Sequence, residues 1–351
     1  MLKVLIADDS GTARKLLGHI INTAPDMRVV GEARNGHEAV AMASKLRPDV
    51  ILMDVTMPEM DGLEATREIM YQTPTPIVVV SASIEGRETE VAFQAMRLGA
   101  LTVQRKPVGP GDMRYADEAT ALQNLVRAMA GVRVITHRNR DRERQPAEQP
   151  AEAPEQGVQP RVQPEIVAIG SSTGGPAALS EIFRNLPGDF ALPLVIVQHI
   201  APDFLPSLVE WLNGLSPLPV KIAEPGGYPL PGCIYLAPGE VHLRLTGDRR
   251  FAVARVPVTR HIPSANVLLE SVAVAYGPAA VGIILTGMGD DGATGLRRMY
   301  DAGAFTIAQD ETTSAVYGMP REAHRLGAVR RVLPLPQIAG AVIQLATTKE
   351  H

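Results

Sequence analysis

A single cysteine, Cys233, stands among 351 residues, so no intramolecular disulfide can form. That suits a reducing cytoplasm. Positive charge is not in excess: 34 Lys+Arg against 38 Asp+Glu leave a formal charge of −4, which argues against nucleic acid or an anionic membrane surface as partner. No apolar run is long enough to cross a bilayer, and the first residues, "MLKVLIADDS", meet two aspartates too early for a signal peptide. The expectation is a soluble, cytoplasmic protein with no direct membrane insertion. Nucleotide-binding signatures are missing too at the glycine-rich turn "IGSSTGGPA" (residues 169–177). Pro176 and Ala177 follow Gly175 where a P-loop needs Lys and Ser/Thr, and Ser172 stands where a dinucleotide fingerprint needs glycine.

What is present reads as two globular segments. The chain is too long for one ordinary core, and 45% hydrophobic with 21% charged residues is a soluble composition. Between them, residues 138–164 run "RNRDRERQPAEQPAEAPEQGVQPRVQP", rich in charge and proline and almost without β-branched residues. Such a stretch buries too little apolar surface to offset its ordering entropy, so it is expected to be a mobile linker. The organisation expected is a first domain over 1–130, a mostly disordered linker over 131–164 and a second domain over 165–348. Strand-like and helix-like patterns alternate on both sides, which predicts α/β domains with doubly wound parallel sheets.

In the first segment, the strand patterns "KVLIAD", "MRVVGEA", "DVILMDV", "PIVVVSA" and "LTVQRK" alternate with helical patterns such as "TARKLLGHIINTA" and "GHEAVAMASKL". Ligands of an open parallel sheet gather beyond the carboxyl ends of the strands, where strand order reverses. Asp8 and Asp9 close the first strand and Asp54 the third, so neighbouring first and third strands would bring three carboxylates together. Like charges that close need a cation, and oxygen donors suit Mg²⁺. Ser81 closes the fourth strand and Lys106 the fifth. A metal, an ammonium and a hydroxyl around one carboxylate would stabilise a transferred phosphoryl group.

In the second segment, Gly170-Ser171-Ser172-Thr173-Gly174 follows a strand pattern and precedes a helical one, the context a nucleophile elbow requires. "LPLVIVQHI" is a buried-strand run ending at His199, and "AAVGIILTGMGDDGATGL" is another, ending in a turn with Asp290 and Asp291. Serine, histidine and aspartate thus each follow an apolar strand, and one crevice could collect all three. The order Ser, His, Asp differs from the Ser, Asp/Glu, His of the α/β-hydrolases, which points to a hydrolase outside that fold. Spacing alone does not choose between Asp290 and Asp291. A helix-turn-helix output is disfavoured, because the segment has sheet-like patterning and no basic excess.

Two resemblances gather these motifs. "ADDS", "ILMDVTMPEMDG", "VVVSA" and "KP" resemble the receiver domain of bacterial response regulators, over nearly all of residues 1–130. "IGSSTGG", "VQHI", "IYLAPG", "TRHIPS", "ILTGMGDDGA", "TIAQD" and "GMPREA" are similar, in order, to the catalytic domain of the chemotaxis protein-glutamate methylesterases. A receiver joined by a linker to that domain is the family's architecture.

The resemblance implies a flavodoxin-like receiver and a Rossmann-like catalytic domain. It implies that Asp54 accepts a phosphoryl group from a chemotaxis histidine kinase, with Asp8 and Asp9 helping to hold Mg²⁺ and Ser81 and Lys106 supporting the phosphate. It makes Ser172 the nucleophile, His199 the base and Asp291 the orienting acid, with oxyanion donors at Thr173 and near Met288, and no cofactor for ester cleavage. The substrates implied are glutamate γ-methyl esters on methyl-accepting chemoreceptors, with glutamine deamidation as a second activity. The unmodified receiver is implied to block the catalytic cleft, a block that phosphorylation relieves. Two departures stand out. Val103 occupies the usual aromatic switch position of the receiver, and Ala265-Asn266 replaces the family's Val-Asp. Asn266 can still cap the following helix, though any role for a carboxylate there is lost, and His261 is expected either to line the substrate cleft or to make a structural hydrogen bond.

Overall fold

The computed structural model describes residues 1–81, 91, 94–96, 98–132 and 162–347. The chain splits into two compact units, Met1–Pro154 and Glu155–His351. All but the ends of the expected linker, 131–164, lies outside the described residues.

The first unit contains β1 (Leu2–Ala7), α1 (Gly11–Thr23), β2 (Met27–Ala33), α2 (Gly36–Leu46), β3 (Val50–Met53), α3 (Gly62–Gln72), β4 (Ile77–Ser81), β5 (Thr102–Arg105) and α4 (Tyr115–Ala130). Its strands form one parallel sheet in the order β2-β1-β3-β4-β5. Val50, Ile51, Leu52 and Met53 have no exposed surface, as expected of a strand covered by helices on both faces. Three helices start in the same way: the side chains of Ser10, Asn35 and Asp61 accept from the backbone N–H groups of Ala13, Glu38 and Glu64. Each cap occupies one otherwise unpaired donor of the first turn and fixes where strand gives way to helix. Strand order reverses at β1 and β3, which are adjacent, so the turns after these strands open at one edge.

The second unit contains β6 (Ile166–Ser171), α5 (Gly175–Arg184), β7 (Leu194–Gln198), α6 (Leu205–Asn213), β8 (Val220–Ile222), β9 (Ile234–Leu236), β10 (His242–Leu245), β11 (Phe251–Ala254), α7 (Ala265–Tyr276), β12 (Ala280–Ile284), α8 (Ala293–Asp301), β13 (Phe305–Gln309), α9 (Met319–Arg325), β14 (Arg331–Leu333) and α10 (Leu335–Thr347). Seven of its strands make a parallel sheet in the order β14-β13-β12-β6-β7-β9-β8. The reversal falls between β6 and β12, with β7 on the other side of β6. One element was not foreseen: β10 and β11 form a separate antiparallel ribbon, Leu243 facing Val253 and Leu245 facing Phe251. Both inner leucines and Phe251 are buried in the core that also takes Leu268, Leu269 and Val272 of α7.

Candidate active site

At the edge of the first sheet, Asp8, Asp9 and Asp54 each place a carboxylate oxygen within 4.8 Å of the others. Lys106 bridges two of them, its Nζ 2.7 Å from Asp8 Oδ2 and 2.7 Å from Asp54 Oδ2. Asp8 is fully buried and its Oδ1 accepts from the Ser10 N–H at 2.9 Å, which ties the cluster to the cap of α1. Burial pushes the Asp54 carboxyl up to about 6, against the pull of Lys106 and with the Asp8 charge adding to the rise. Lys106 is a single positive charge shared by two buried carboxylates, and three hard oxygen donors this close fit a divalent cation. Ser81 is buried at the end of β4, and its carbonyl accepts from the Lys106 N–H at 2.9 Å. Val103 is buried in β5 and pairs with Val79 of β4.

In the second unit, Ser171 pairs with Gln198 across β6 and β7, so Ser172 and His199 are the next residues on adjacent strands. Parallel neighbours lie about 4.8 Å apart. His199 Nε2 lies 2.8 Å from Asp291 Oδ2. A carboxylate only accepts, so Nε2 carries the proton and leaves Nδ1 with its lone pair. Nδ1 is buried and has no hydrogen-bond partner among the described residues. No hydrogen bond between Ser172 and His199 is among the contacts of the described residues; the hydrogen-bond partner of the His199 ring is Asp291.

The choice that spacing left open between Asp290 and Asp291 has a physical answer here. Asp290 is exposed, whereas Asp291 is buried and accepts four hydrogen bonds. Besides His199, these come from Ser264 Oγ at 2.7 Å and from the N–H groups of Ala265 and Asn266 at 2.6 and 3.1 Å. Burial alone would raise its pKa, but the hydrogen bonds of His199, Ser264 and Ala265 outweigh it and hold the carboxyl down at about 2. Asn266 does not cap α7. Ser264 does, and Asn266 Oδ1 instead accepts from the Gly295 N–H at 2.8 Å, joining α7 to α8.

His261 lies at the site. Its ring stacks on His199, with centroids 4.5 Å apart and planes 15° from parallel. Burial, then the charges of His199 and Arg260, hold it below its ordinary value against the pull of Asp291 and Asp290. The backbone N–H groups of Thr173 and Met288 donate to no protein acceptor among the described residues.

Three supporting side chains went unread in the sequence. Gln198 is buried; its Nε2 donates to the carbonyls of Ser172 and His199, each at 2.8 Å, while its Oε1 accepts from Ser171 Oγ at 2.7 Å. Thr286 Oγ1 donates to the Thr173 carbonyl at 2.9 Å, and its own carbonyl accepts from the Ser172 N–H at 3.1 Å. His242, fully buried, accepts from the Ser264 N–H at Nδ1 and donates from Nε2 to the Pro257 carbonyl at 2.9 Å. A glutamine closing the apolar run "LVIVQ" was the available signal, since a buried carboxamide needs partners. Packing explains two of the glycines. A Cβ on Gly175 would stand 1.9 Å from Gln198 Oε1, and one on Gly287 would stand 2.8 Å from Ser172 Cβ.

Fold and site together define a class: a response-regulator receiver and a Rossmann-like unit with hydrolase-type side chains, carried on one chain. Comparison with known proteins agrees. The response regulator receiver domain matches residues 4–116, and the CheB methylesterase matches residues 167–342. The chain belongs to the CheB methylesterase family. It is 48% identical over 339 residues to protein-glutamate methylesterase/protein-glutamine glutaminase 4 of Myxococcus xanthus, covering 96% of this chain and 95% of that one. It is 43% identical to the corresponding protein 1 of Syntrophus aciditrophicus, over 99% of both. Among solved structures it is similar to the methylesterase catalytic domain of Thermotoga maritima CheB, at 39% identity and a TM-score of 0.51, covering 52% of this chain and 100% of that chain. No helix among the described residues is long and apolar enough to cross a membrane.

Proposed function

We propose that the second unit is a serine hydrolase that cleaves γ-methyl esters of protein glutamates on chemoreceptors, and deamidates glutamines, under control of phosphorylation at Asp54. The observation that carries this reading is the His199–Asp291 pair at 2.8 Å, with the free Nδ1 of His199 buried beside the turn that bears Ser172.

Ser172 Oγ attacks the ester carbonyl as its proton passes to His199 Nδ1. Asp291 holds the ring and stabilises its positive charge. The N–H groups of Thr173 and Met288 receive the oxyanion. Collapse breaks the carbon–oxygen bond, and methanol leaves with the proton from His199. Water then attacks the glutamyl-serine ester, giving its proton to the same nitrogen, and the free carboxylate departs as Ser172 recovers its proton. A primary amide passes through the same geometry and releases ammonia. Gln198 holds the carbonyls of Ser172 and His199, Thr286 holds that of Thr173, and together they keep the turn in place.

In the first unit, Asp54 is the phosphoryl acceptor and a histidine kinase the donor. Asp8, Asp9 and Asp54 would hold Mg²⁺, which neutralises charge on the transferred group. Lys106 and Ser81 lie at the same strand ends and contact the phosphoryl oxygens.

The experiment is methanol release from a methylated receptor fragment by the full chain, with and without a small-molecule phosphodonor. Release that rises with phosphodonor and disappears in Ser172→Ala supports the proposal. Undiminished release by Ser172→Ala overturns it.

A further inference from the structure

Residues 255–262, "RVPVTRHI", connect β11 to α7 and border the candidate site, because His261 within them stacks on His199. Their chemistry is unlike that of the chain as a whole. In a protein of net charge −4, residues 249–269 hold four arginines and no aspartate or glutamate. Arg249 and Arg250 are committed elsewhere, to Glu165 and Tyr276 and to Asp248 and Tyr228. Arg255 and Arg260 are exposed, and among the described residues neither side chain has a hydrogen-bond or ion-pair partner. Between and beside them, Val256, Val258 and Ile262 are 64%, 87% and 38% exposed. Large apolar side chains left open side by side mark a surface that something covers. The strip also borders a recess of about 590 Å³, whose lining includes Ala254, Pro257, Val267 and Val274.

We propose that residues 255–262 are the docking surface for the substrate protein, and that they select an acidic segment, one whose ester-bearing glutamate is flanked by free carboxylates. The inference rests on the esterase reading of Ser172 and adds to it what the enzyme recognises around the scissile group. A methyl ester carries no charge, so it gives two arginines nothing to pair with; its neighbours must. A chain that reaches Ser172 runs beside His199 and therefore past the strip on which His261 sits. The five residue steps from Arg255 to Arg260 span at most about 18 Å when extended, close to three turns of a helix. Carboxylates within that distance of the ester are in range. Asp290 lies near His261 and offsets part of the Arg260 field, while Arg255 stands farther along the strip. Each ester cleaved leaves a new carboxylate, so docking strengthens as neighbouring positions are processed.

The test is binding of two fluorescent peptides, each with one central glutamate, flanked by glutamates in one and by alanines in the other. Both are titrated into the phosphodonor-treated full chain at low ionic strength. The glutamate-flanked peptide is expected to bind about 10-fold tighter, an advantage that fades with salt. The advantage disappears in the Arg255→Gln/Arg260→Gln variant, whose labelling at Ser172 by a serine-directed phosphonate matches the wild type. Equal binding of the two peptides by the wild type, or a preference that survives in the variant, overturns the proposal. Failure of Ser172 to label would count against the esterase reading instead, and the binding comparison needs no turnover.

Discussion

The imidazole of His261 lies flat on that of His199, 4.5 Å away and 15° from parallel. In the proposed mechanism His199 becomes an imidazolium, and a second positive charge at that distance would cost about 4 kcal/mol at an effective dielectric of 20. His261 must therefore be neutral. Burial, with His199 and Arg260, already holds it below its ordinary 6.5. As pH falls through that lowered value His261 gains charge and activity falls with it; the same linkage favours the unfolded chain in acid. His261→Phe keeps the plane and removes the charge, so its acid limb in kcat/KM should be shallower than the wild type's. His261→Ala should lose roughly two- to tenfold in kcat, about what an aromatic pair is worth. An identical acid limb in the Phe variant would refute this role.

Asp291 should show in both stability and rate. Its carboxyl sits at about 2 against an ordinary 3.8, so the folded state favours the ionised form by about 2 kcal/mol. That stability is present above about pH 4 and is lost as pH falls towards about 2. Asp291→Asn should remove this acid transition, which urea melts across the window would reveal. It should also lower kcat on the order of 10³-fold or more, because an amide cannot both accept from His199 and stabilise its charge.

Gln198 is expected to act on rate rather than on affinity. Gln198→Leu keeps the volume but leaves the His199 carbonyl without its donor, takes one of two donors from the Ser172 carbonyl and removes the acceptor of Ser171 Oγ. A kcat reduced roughly 10- to 100-fold with KM unchanged is the expected outcome, about 1–3 kcal/mol for the three lost hydrogen bonds. A raised KM at constant kcat would place Gln198 among substrate contacts instead.

The two units should separate cleanly by mutation. Asp54→Asn should abolish phosphorylation by a small-molecule phosphodonor and its stimulation of methanol release, leaving basal release in place. Asp9→Asn should weaken Mg²⁺ binding, read as the metal-dependent shift in melting temperature. Phosphorylation of Ser172→Ala at the wild-type rate completes the separation.

The parts of the fold carried by local pattern were legible in the sequence. "MRVVGEA" and "GHEAVAMASKL" coincide with β2 and α2, because apolar period and capping residues fix those boundaries. The ribbon of β10 and β11 was not visible, since four-residue strands with mixed burial carry too little periodicity. At the site, strand-end position located Ser172, His199 and the pair Asp290–Asp291, from which the family resemblance took Asp291. It could not reveal that Asp291 receives the first turn of α7, because that contact joins residues 26 apart in sequence. Asn266 shows the limit of a residue-type rule. A good capping residue two positions after Ser264 found its partner on α8 instead.

Asp291 anchors two things at once: the opening turn of a twelve-residue helix and the ring that is to accept a proton. A tilt at the start of α7 therefore drags the imidazole with it. In the proposed mechanism the pitch of one rod would then act on bond cleavage from outside the pocket, without any ligand entering it.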